Sequence, residues 1–126
     1  MSNPILYKAF VASGAINPYR IVRLATADTV EQASSNTAAS GLIGVNTELS
    51  IVSGERVEVI MVGIAWVEAG AAISANQPVT SDASGRGVAA TPVAGANNRI
   101  IGFALDSAVA AGDQIRVLLS PGQIQG

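Results

Sequence analysis

Slid along itself by 58 residues, the chain matches its own second half. Leu42-Ile43-Gly44-Val45 falls on Ile100-Ile101-Gly102-Phe103, and Glu48 falls on Asp106. Gly54-Glu55-Arg56-Val57-Glu58-Val59-Ile60-Met61 falls on Gly112-Asp113-Gln114-Ile115-Arg116-Val117-Leu118-Leu119. One residue of slippage earlier, Ile16 lies against Ile73 and Val22 against Val79. Two copies of one β-unit, each unable to hide its apolar face alone, can close a common core about a pseudo-twofold axis. Each Gly-acid pair is then the turn before a strand, and each Ile-Gly marks a bend or a close approach of two backbones.

The local patterns agree with strands. Ile5–Ala12 is a β-rich run closed by Ser13-Gly14. Tyr19–Leu24 follows the turn-initiating pair Asn17-Pro18. Arg56–Val62 alternates before turning fully apolar, so it starts half exposed and ends buried. It continues past Gly63, where a bend or bulge is expected, to Glu68. Pro78–Ser81, Gly87–Thr91, Arg99–Leu105 and Gln114–Leu119 complete the set, with a tight turn at Asp82-Ala83-Ser84-Gly85. The Ala-rich pieces 69–76 and 107–111 are too short for stable helices. The expected fold is therefore all-β: a small barrel or tight β-sandwich of two pseudo-symmetric repeats, with little helix. The 126 residues read as one domain. Its parts are an amino-terminal strand or arm at 1–13, a first repeat at 14–62, a connection at 63–71, a second repeat at 72–120 and a tail at 121–126.

The residue inventory narrows the chemistry. There is no His and no Cys, so the commonest general base and the usual transition-metal ligands are missing. Lys8 is the only lysine, and no Ser or Thr has a visible base. Glu55 with Glu58, and Asp106 with Asp113, fall at turns or on opposite faces of a strand, not in a catalytic pair. Gly85-Arg86-Gly87 lacks the spacing of a phosphate loop and reads as a hairpin turn with Arg86 solvated. No catalytic, cofactor or metal residue is expected, with calcium on exposed carboxylates the one exception in principle. A net charge of −2 with no basic run gives nucleic acid no surface, and no segment is long enough to span a membrane. No secretory signal is visible after Met1, so synthesis in the cytoplasm is expected.

Two features suggest contact instead. The apolar start Asn3, Pro4, Ile5, Leu6, Tyr7 lies outside the repeat, and a terminal strand of this kind can add to another chain's sheet edge. Trp66 is either a core residue or an interface anchor.

Several segments resemble a family of phage head-decoration, or capsid cement, proteins. They are Asn3–Lys8, Ala15–Val22, Thr80–Arg86, Asn97–Leu105 and the ending Pro121–Gly126, so the resemblance runs essentially end to end. It implies a β-rich structural protein, often trimeric, that binds the major capsid protein on the outer surface of the virion. There it would brace the expanded shell against internal DNA pressure. The family's amino-terminal arm maps onto Asn3–Tyr7 as a capsid contact. The family has no catalytic residues to carry over. The alternative reading is a small β-barrel that binds a ligand or carbohydrate, which needs a cavity lined by Trp66 and polar groups.

Overall fold

The computed structural model describes residues 3–35 and 41–126, with side chains from Ile5 onward in the first strand. Its described residues form nine strands and no helix: β1 (Asn3–Ala12), β2 (Ile21–Leu24), β3 (Thr29–Gln32), β4 (Leu42–Asn46), β5 (Arg56–Glu68), β6 (Pro78–Ser81), β7 (Gly87–Ala89), β8 (Asn97–Ala104) and β9 (Gln114–Gln125). The Ala-rich pieces are turns and bridges, with Ala69 bridged to Gly87 and Ile73 to Ala108.

The first five strands close a barrel in the order β1-β3-β2-β4-β5. Antiparallel pairing from Asn3↔Ile64 to Val11↔Arg56 joins β5 back to β1, and β1 runs parallel to β3 at Val11 and Ala12. Strand β5 is long, 13 residues, because it serves both halves. Its first part pairs with β1 and β4; its second pairs with β9, from Gly63↔Leu119 to Glu68↔Gln114. From β9 the sheet continues through β8 and β6 to β7, and a parallel bridge from Gly87 to Ala69 returns it to the end of β5.

Some contacts of the second half have counterparts in the first. Antiparallel bridges Ile16↔Ile51 and Ile73↔Ala108 occupy matching places. Gly54 N–H donates to Ala12 O at 2.8 Å, and Gly112 N–H donates to Ala69 O at 2.8 Å. Both glycines have left-handed backbone, φ 89° and 96°, which few other residues adopt. The acid after each accepts a turn N–H: Val52 to Glu55 Oε1 at 2.7 Å, and Val109 to Asp113 Oδ2 at 2.9 Å. The segments set outside the repeat contribute strand as well. Residues 3–12 are β1, residues 63–68 are the second part of β5, and residues 121–125 end β9.

Two buried clusters follow. Phe10, Ala12, Ile16, Val22, Val30, Ile51, Val57 and Val59 fill the first barrel, with Ile43 and Met61 partly buried against them. The larger cluster holds Ala65, Val67, Ile73, Val79, Ile101, Ile115, Val117 and Leu119 of the second half together with Ile21, Leu42, Val45 and Ile60. These last four come from the strands of the first barrel but point away from its interior, so one wall serves two cores. Each fully buried Val or Ile contributes about 1.5–3 kcal/mol.

The Ile-Gly pairs are close approaches. A Cβ on Gly44 would run into the Ile60 carbonyl, and one on Gly102 into that of Leu118. Gly44→Ala and Gly102→Ala should each lower stability by about 1–3 kcal/mol through overpacking, read in thermal or urea melts. Gly14→Ala, where a Cβ meets nothing within 4 Å, should be near neutral. Equal tolerance at all three would contradict the packing described.

Candidate interaction surface

The start of β1 is the most exposed apolar part of a regular strand. Its backbone pairs with β5 through Asn3↔Ile64, Pro4↔Gly63, Leu6↔Val62 and Tyr7↔Ile60, with register shifts on both sides of Leu6. Those shifts turn the side chains outward: Ile5 is 79% exposed, and Leu6 and Tyr7 are about half exposed. The opposite edge of β1 meets β3 only from Val11 onward, so among the described residues no strand pairs with it over residues 3–9. The side chains of Asn3 and Pro4, also expected as contacts, lie outside the described part. Trp66 sits on the neighbouring strand, two residues beyond Ile64, and is half-buried opposite Arg116. The segment and the tryptophan singled out from sequence therefore lie on adjacent strands.

A second apolar area was not anticipated. On the outside of the second half, Phe103 pairs with Leu118 on one side and Pro78 on the other, and Leu118 pairs with Ile64. Phe103 and Leu118 are 40% and 45% exposed, and Val62 and Leu6 flank the row. The sequence hides this because the doublets Ile100-Ile101 and Leu118-Leu119 do not say which member points inward. The irregular register between Ile100 and Gly102 then shifts the alternation.

Several charged groups hold turns and strands together. Arg20 donates to Glu68 Oε2 at 3.2 Å and to the Ser84 carbonyl at 2.8 Å. Arg86 lies 3.7 Å from Glu68 and 3.5 Å from Asp82. Arg86 is thus not the solvated side chain expected from sequence. The turn after β6 docks on the first barrel, where the Ile21 N–H donates to Gly85 O at 2.8 Å, and this brings Arg86 into a shared ionic cluster. Asp106 takes two hydrogen bonds from the Arg116 guanidinium and one from its N–H. The bonds from the Arg116 side chain, then that from its backbone, hold the Asp106 carboxyl down to about 2. Glu55 and Asp113 are engaged in their turns, and Glu58 is exposed on β5. Among the described residues no three acidic groups gather at a metal-binding distance, and no pocket opens at Trp66 or elsewhere. What the described residues leave exposed is two apolar areas, one at the start of β1 and one around Phe103 and Leu118.

The model of a family described as phage cement protein matches residues 7–119. Among solved structures, the crystal structure of the head fiber gp8.5 N base in bacteriophage phi29 superposes with a TM-score of 0.67 at 17% identity, covering 96% of this chain and 98% of that one. At that identity the likeness is one of fold. No curated protein sequence matches the chain.

The Asp106–Arg116 pair gives a pH test. Because the folded carboxyl titrates below its ordinary value of 3.8, the pair's contribution is present above that value and is lost as pH falls towards 2. The pair is exposed, so its effect is small. The Tm gap between wild type and Asp106→Asn should narrow as pH falls through that window. A gap independent of pH would show that the pair contributes nothing through ionisation.

Proposed function

Because the chain belongs to the phage cement protein family, a family of capsid-associated structural proteins, we propose that it binds the outside of a phage head and stabilises the expanded shell by bridging major capsid protein subunits. It does so as a homo-oligomer, a trimer, and without enzymatic activity. The observation that carries this reading is the open edge of β1, with Ile5 and Tyr7 projecting from it. A coat-protein segment added along that edge gains main-chain hydrogen bonds, while Ile5 and Tyr7 fill pockets on the partner. The strand is already extended and held by β5, so less ordering entropy opposes binding than for a loose tail. Soluble proteins commonly blunt such an edge with charge or proline. Here three large apolar side chains follow Pro4, and the first charge comes at Lys8.

Co-sedimentation with purified expanded capsids tests the proposal. The wild type should pellet with the shells and raise the temperature at which they rupture. The double variant Ile5→Asp with Tyr7→Asp should stay in the supernatant while melting within about 0.5 kcal/mol of wild type, as surface changes generally do. A variant that still pellets would remove the edge from the proposal. A wild type that never pellets would remove the proposal itself.

A further inference from the structure

The two halves of the chain treat one face differently. In the first barrel, Ile21 pairs with Val45 and Val45 with Ile60, an apolar row across three strands on the outside of the barrel. In the second half, Pro78 pairs with Phe103 and Phe103 with Leu118, the same row at the spacing of the repeat. The first row is buried, with Ile21 and Val45 at 0% and Ile60 at 5% exposure, and it shares one buried cluster with Ile101 and Leu119 of the second half. Among the described residues the second row is left partly open, and its two largest members are the half-exposed Phe103 and Leu118. The complementary surface is present too. Ile43 and Met61 stand in the first barrel where Ile101 and Leu119 stand in the second half, yet Ile43 and Met61 are only partly buried.

We infer that the row Pro78–Phe103–Leu118 of one copy docks on the Ile43–Met61 side of the first barrel of a second copy, repeating between chains the contact that joins the two halves within one. Within the chain, the row Ile21–Val45–Ile60 is covered by strands of the second half, whose residues share its buried cluster. The contact is heterologous, and three copies closing a ring satisfy every face. The inference rests on the self-association proposed above and assigns it a surface. One residue stands in the way. At the 57-residue offset that sets Ile16 against Ile73, Lys8 falls on the fully buried Ala65, and its ammonium lies 4.4 Å from the centre of the Phe10 ring. Its flexible stem has to swing to the rim on association, keeping the charge in water.

Light scattering and sedimentation of the full chain, with disulfide trapping, test this. The chain has no cysteine, so introduced pairs report without background. Leu118→Glu and Phe103→Glu should weaken self-association at least about tenfold, the scale of an interface anchor, with unchanged melting. Val109→Glu, at a fully solvated apolar side chain off this face, should leave association intact. Lys8→Ala, the residue type at position 65, should strengthen it. A mixture of Leu118→Cys and Ile43→Cys copies should form mixed disulfides. Oligomers that survive Leu118→Glu, or Leu118→Cys copies that cross-link only to each other, would overturn the assigned surface while leaving self-association standing. A wild type that is monomeric both free and on capsids would overturn self-association and with it this inference. Capsid pelleting of that monomer would still leave shell binding intact.

Discussion

Strand β5 is the constraint on which the molecule depends. Its first part completes a closed barrel with β1 and β4, and its second part starts the next half with β9. Val57 and Val59 face one core and Ala65 and Val67 the other, while Ile60 carries the wall of the first barrel into the second core. Neither half can slide on the other without exposing these side chains. The ionic cluster of Arg20, Glu68, Arg86 and Asp82 clamps the same junction at its rim. The shared strand and the ionic cluster thus tie the two halves together at one junction.

Much of this was legible in the sequence. The Ile-Gly and Gly-acid repeats pointed to close approaches and turns, and Gly44, Gly102, Gly54 and Gly112 fill those roles. The turn at Asp82–Gly85 and the run through Arg56–Glu68 also stand where the pattern put them. What escaped was tertiary. Strand β3, Thr29–Gln32, has one apolar residue and is held by its neighbours. The double duty of β5 is invisible because its alternation reads the same whichever core it faces. Arg86 looked solvated because its partner Glu68 is brought to it only by the fold.

The proposed interaction surface was legible only in part. Ile5, Leu6 and Tyr7 drew notice as apolar residues near the amino terminus, and the structure leaves them exposed on an open edge. Phe103 and Leu118 carry no local signal, since both look like core residues of buried strands. Their exposure in the fold separates them from the core.

In the proposed function, this chain meets the shell along the open edge of β1. Hydrogen–deuterium exchange of the protein free and bound to expanded capsids measures it directly. Within residues 5–9, the amides directed away from β5 should exchange quickly in the free protein and become protected on the capsid, while the amides of β5 are protected in both. Unchanged exchange along β1 on capsids that have bound the protein would contradict the claim.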